Sequence, residues 1–284
     1  MIVNIFIPII LVLLMVIVGT SLQLKQFNAI LRFPIPLLGG TFVQILMLPA
    51  GALGIIYLLN PPLELAVGLL LVSACPGGAL SNFYCHFGRM NVALSVMMTA
   101  VSSILGFVVL PIVLAIIFPI VVPVQEVEVP VKELIFRLFL LLLLPVGVGM
   151  LIRNYFSRAV EQYGQEMRMF GLVLVVMLLV MIFYTQWEGA ARLFYDAAAL
   201  SFAFTIFALA AGWTVALLLR QNTLDRYVFS VEFAVRNVGA AAVVAATTIG
   251  RPEFVIFGAL FVIFQFPLIL LMLLSGRKPA YAIT

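Results

Sequence analysis

Along this chain apolar residues come in blocks of about 20, while charges, prolines and glycines collect in the short stretches between them. Nine such blocks can be drawn: 3–22, 35–59, 63–87, 91–118, 132–152, 167–187, 194–219, 225–249 and 253–275. A helix rises about 1.5 Å per residue, so each block can cross a hydrocarbon layer of about 30 Å. The pattern predicts an all-α polytopic membrane protein with nine transmembrane helices joined by short loops.

Composition supports that reading. Of 284 residues, 65% are hydrophobic and only 9% charged, where soluble proteins carry about 25% charged residues. The placement of charge says more than its total. With loops assigned alternately to two sides, one side holds Lys25, Arg32, Arg89, Arg153, Arg158, Arg168, Arg220, Arg226, Arg277 and Lys278. The other holds Lys132, Arg137, Arg192 and Arg251 among Glu64, Glu126, Glu128, Glu133, Glu188, Asp196 and Glu253. This positive-inside pattern places the N-terminus outside and the C-terminus in the cytoplasm of a multi-pass plasma membrane protein. The opening "MIVNIFIPII" has no basic n-region, so it reads as a first span and not as a removable signal peptide.

Residues 119–131 begin with "PIVVPVQEVEVP", whose prolines favour an extended extracellular connection over a helix. This connection separates four spans (1–118) from five (132–284). If the fifth span is unpaired, corresponding spans lie five apart and must cross in opposite directions. That is the inverted repeat found in many secondary transporters.

Two spans are irregular, at matching places in the two halves. The third contains "ACPGGALSN", residues 74–82, where Pro76 lacks an N–H and Gly77-Gly78 weakens the helix. A plain proline kink with glycine packing is the alternative, against which stands the polar cluster that follows. The eighth contains "VEFAVRN", residues 231–237, with Glu232 and Arg236 inside an apolar run and only Gly239 to weaken the helix. Intramembrane charges cost a few kcal/mol even on lenient scales, about 2.5–3.5 each at helix centre, and so mark function. Crossed breaks of this kind offer carbonyls and side-chain oxygens to a hard cation. The new half-helices, starting near Leu80-Ser81 and Val238-Gly239, offer N–H groups to an anion. In the fourth span, Ser95 and Thr99 share one helical face, either bonding back to carbonyls or facing this site. Gln44 sits in the apolar run of the second span and needs a polar partner.

Other chemistries find little support. Basic residues are not interleaved with aromatics, which argues against nucleic-acid binding. Cys75 and Cys85 read as small packing residues. The single histidine, His86, falls at a helix end, and neither HExxH nor GxSxG occurs, so no enzyme is expected. No cofactor is expected beyond a coupling ion.

At these residues the chain resembles a known family. "CPGGALSNFYCHFGRMNVALSVMMTAVSS" and "VEFAVRNVGAAAV" are similar to the two signature regions of the bile acid:sodium symporter (BASS) family, and the likeness extends over nearly all nine spans. The resemblance implies the nine-span form, lacking the first helix of the first repeat. It implies a core domain of spans 35–59, 63–87, 91–118, 194–219, 225–249 and 253–275, and a panel of spans 3–22, 132–152 and 167–187. It implies sodium-coupled symport of an organic anion, bile-acid-like or a small carboxylate, with Na+ as coupling ion. The oligomeric state is left open, a monomer included.

Carried over by residue, the resemblance assigns a first sodium site to Ser81, Asn82, Ser95, Thr99 and Glu232. A second would use Gln44, Glu232, the carbonyls of Phe233 and Val235, and a glutamine whose place Arg236 takes here. Substrate contacts would fall at Ala79, Leu80, Asn237, Val238, Gly239 and Gln265. The departure at Arg236 leaves three roles open: replacing the second cation, pairing with a substrate carboxylate or sulfonate, or forming a salt bridge that neutralises Glu232. It also keeps a sodium-independent or proton-coupled carrier in view. A non-transporting sensor or scaffold would have no need of paired midplane breaks.

Overall fold

In a computed structural model of the chain, residues 2–22, 35–78, 80–121, 136–137 and 139–276 are described. Residues 122–131 of the Pro-rich connection, Ala79, and the loop residues Lys25, Arg32, Lys132, Arg277 and Lys278 lie outside them. The described residues are almost entirely helical and form no strand. Lipid offers backbone groups no partner, and a helix satisfies them within itself.

In chain order the helices are α1 (Ile2–Ser21), α2 (Gly40–Leu59, entered through a π turn at Ile35–Gly39), α3 (Leu63–Ala74), α4 (Leu80–Phe87), α5 (Val92–Val121) and α6 (Leu144–Tyr155, after a π turn at Phe139–Leu143). There follow α7 (Ser157–Gln162), α8 (Gly164–Thr185), α9 (Trp187–Arg192), α10 (Phe194–Leu218), α11 (Thr223–Ala234), α12 (Val238–Val243, continued by a π turn to Ile249) and α13 (Val255–Gly276). Among the described residues, Pro36–Leu59, Gly164–Thr185, Phe194–Leu218 and Pro252–Ser275 are long and apolar enough to cross a bilayer. Their outward faces carry exposed apolar side chains such as Phe42, Val173, Val180, Ile206 and Leu271. A surface this apolar belongs in lipid. The chain is a helical, multi-pass membrane protein.

Two packing groups are evident. α1 lies against α6 and α8. At its crossing with α6, a Cβ on Gly19 would fall 2.2 Å from the Val146 carbonyl oxygen, and one on Gly149 equally close to that of Val16. Only glycine allows the two backbones to approach so closely. The other group joins α2, α3, α5, α10, α11 and α13 around buried rings, among them Phe204, Phe229, Phe257 and Phe261. Between the groups, α1 touches α12 and α8 touches α13.

Blocks 63–87 and 225–249 are each divided in two. α3 stops where Pro76 forces Cys75 into an extended conformation, φ −66° and ψ 153°. α11 begins at Asn222, whose side chain accepts the Asp225 N–H, and ends at Ala234, with Val235 extended. α12 restarts from Asn237, whose Oδ1 accepts the Ala240 N–H at 3.0 Å. The second break thus precedes Gly239, the residue the sequence offered as its weak point, and its cause is tertiary.

Candidate functional site

The two breaks lie across each other. Gly77 and Arg236 form an antiparallel bridge: the Gly78 N–H donates to the Val235 carbonyl at 3.0 Å, and the Asn237 N–H donates to the Pro76 carbonyl at 2.9 Å. Each broken helix therefore supplies partners for backbone groups freed in the other, as a buried break requires. A Cβ on Gly78 would lie 2.6 Å from the Arg236 carbonyl oxygen, so the crossing has no room for a larger residue.

Beside this crossing, Glu232 is completely buried. Ser81 Oγ donates to its Oε1 at 2.5 Å, and Ser95 Oγ makes a still closer contact with the same oxygen. Thr99 Oγ1 lies 3.1 Å from Oε1 and 3.0 Å from Oε2. Ser81 and Thr99 hydroxyls are 3.2 Å apart, and Ser95 Oγ is 2.8 Å from Asn82 Oδ1. All five residues of the expected first site thus come together, from α4, α5 and α11. Ser95 and Thr99 face the carboxylate, resolving the alternative of back-bonding. Ser102, one further step along that face, was not singled out from the sequence. Its Oγ accepts the Gly77 N–H at 3.1 Å and donates to the Thr99 carbonyl at 3.0 Å. The spacing Ser95, Thr99, Ser102 on one helical face was the available signal.

The residues of the expected second site are arranged differently. Gln44 Nε2 donates to the Glu232 backbone carbonyl at 2.7 Å, and its Oε1 is buried without a partner. The Val235 carbonyl already accepts the Gly78 N–H. Phe233 is fully buried in the same turn. Arg236 is 4% exposed and points back to the end of α3, where Nη2 donates closely to the Cys75 carbonyl and reaches the Ser73 carbonyl at 3.5 Å. Its Nε and Nη1 are buried without partners. None of the ion pairs among the described residues joins Arg236 to Glu232. Arg236 and Glu232 are thus not in direct ion-pair contact: Val235 is extended between them, and the guanidinium turns to the α3 carbonyls.

The expected substrate contacts are spread along the same region. Leu80 and Val238 start the two half-helices. Asn237 caps α12, and its Nδ2 meets the Met15 sulfur of α1 at 3.8 Å. A Cβ on Gly239 would meet Leu11 of α1 at 3.2 Å and Leu178 of α8 at 3.7 Å. Gln265, on α13, is buried with its Oε1 unpartnered. Ala79 is outside the described residues.

Residues 8–193 match the Sodium Bile acid symporter family. The chain belongs to that family. Among relatives of this symporter family, a probable chloroplastic sodium/metabolite cotransporter, BASS1 of Arabidopsis thaliana, is 34% identical over 50% of this chain. A rice counterpart, probable sodium/metabolite cotransporter BASS2 of Oryza sativa subsp. japonica, is 33% identical over 58%. The chain spans 34% and 38% of the lengths of these two plant proteins. The sodium-dependent transporter YocS of Bacillus subtilis is 25% identical over 84% of this chain and 73% of its own length. The family and these relatives are transporters, and sodium figures in the names of all three.

Proposed function

We propose that this protein is a secondary transporter that couples sodium entry to uptake of an organic anion, bile-acid-like or a small carboxylate. The observation that carries the reading is the excess of oxygen over hydrogen around Glu232. Six close oxygen–oxygen contacts link Ser81, Asn82, Ser95, Thr99 and Glu232, whereas three hydroxyls supply three protons. A hard monovalent cation satisfies such a cluster, with the hydroxyls rotating to present lone pairs. The N-termini of α4 and α12, beside Leu80, Val238 and Gly239, would receive the anion, with Asn237 and Gln265 at its edge.

In this reading the chain crosses the membrane nine times as an inverted repeat, with the N-terminus outside. The α1, α6 and α8 group serves as the panel, and the remaining long helices form the core that moves against it. The closeness of Leu11 and Leu178 to Gly239, with the contact of Met15 to Asn237, supports a seam at which such movement opens and closes. A Val238→Cys variant, in a background with Cys75 and Cys85 replaced by alanine, should change the side from which it is labelled when sodium is added. Labelling from one side under all conditions argues against alternating access.

The direct test of coupling is thermal stability of the purified protein in sodium, with lithium and potassium as controls. Sodium-specific stabilisation is expected. Stabilisation that follows pH and ignores sodium would favour a proton-coupled carrier of the same fold.

A further inference from the structure

Glu232 and Arg236 are the only charged side chains buried among the described residues, and they are not paired with each other. Each faces a different set of oxygens. Glu232 faces hydroxyls, while Arg236 faces the carbonyls of Ser73 and Cys75 at the C-terminal end of α3. That end is the negative pole of a half-helix, and Pro76 provides no N–H there. Buried carbonyls of this kind are hard oxygen ligands that a cation can use.

The geometry points to Arg236 as a built-in cation: its guanidinium, held by the Ser73 and Cys75 carbonyls, supplies at the helix crossing the fixed positive charge that a second metal ion would bring, so that one sodium binds per chain. The proposal rests on the sodium reading of the Glu232 cluster. The charge count follows directly. Empty, the buried pair sums to zero; with one sodium it is +1; one monovalent anion restores neutrality. The structure thus favours a 1:1 load of sodium and monoanion, carried across without net charge. The Nε and Nη1 nitrogens of Arg236, buried without partners, leave N–H groups to donate to that anion while Nη2 stays on α3.

The test is to count sodium. Equilibrium binding of radioactive 22Na+ to the purified full chain is expected to saturate at one ion with a Hill coefficient near one. Arg236→Gln removes the charge, frees the α3 carbonyls and adds an oxygen ligand. It is expected to raise the count to two, with a Hill coefficient above one. Two ions in the parent chain, or one ion still in Arg236→Gln, overturns the proposal while leaving sodium coupling intact. No sodium in the parent overturns the coupling itself and this inference with it. Should Arg236→Gln fail to fold, the parent count alone decides.

Discussion

The two helix breaks reach the same shape by different means. In the first, the covalent chain makes the break: Pro76 cannot donate, Cys75 is driven extended, and two glycines follow. In the second, no residue between Val231 and Val238 forbids a helix. There the break is held from outside, by the hydrogen bonds of Val235 and Asn237 to the first break and by Arg236 reaching to Cys75. Asn237 then restarts the chain as a cap. One break is local and the other is borrowed, so the second depends on the first being present.

This contrast can be tested by substitution. The largest expected effect is at the contact both breaks share. Gly78→Val places side-chain atoms against the Arg236 carbonyl, which cannot retreat, and should cost about 3 kcal/mol or more in stability in detergent. A well-folded variant with unchanged melting would show that the crossing is loose.

Glu232→Gln should leave the protein folded and remove its response to sodium. With sodium at about a hundred times its Kd, that response is worth about 2.7 kcal/mol in the parent. Equal sodium stabilisation in parent and variant would reject the ligand set around Glu232.

Arg236→Met removes the outside support from the second break and leaves the α3 carbonyls without a donor. A loss of about 2 kcal/mol is expected, in line with hydrogen bonds to a charged group. Pro76→Ala should cost less than about 1 kcal/mol, because Gly77, Gly78 and the crossing bonds remain. If Pro76→Ala proves the more damaging of the two, the distinction between a local and a borrowed break fails. Thermal melting of both variants, side by side, decides it.

Much of the site is legible in the amino-acid order, and the reason is chemical. A carboxylate and a guanidinium in an apolar run are conspicuous because lipid makes them costly. Ser95 and Thr99, four apart, have to share a face. The break at Pro76 is legible because proline acts on its own neighbours. Ser102 is marked by the same spacing, but "VSS" in an apolar helix reads equally well as packing.

What sequence spacing does not reveal is the direction of Arg236. Four residues after Glu232, it would sit one helical turn away and form an ion pair if the helix continued. The helix ends at Ala234, Val235 is extended, and the guanidinium turns to a carbonyl 161 residues distant in sequence. Likewise, Gln44 needs a polar partner wherever it sits in an apolar run, but only the packing of α2 against α11 selects the Glu232 carbonyl. The amino-acid order by itself determined the apolar helices, the first break and the residue types of the site, because each depends on near neighbours or on transfer into lipid. The tertiary structure decided the second break, the separation of Arg236 from Glu232 and the closure of the oxygen cluster, because these depend on which backbone lies across which.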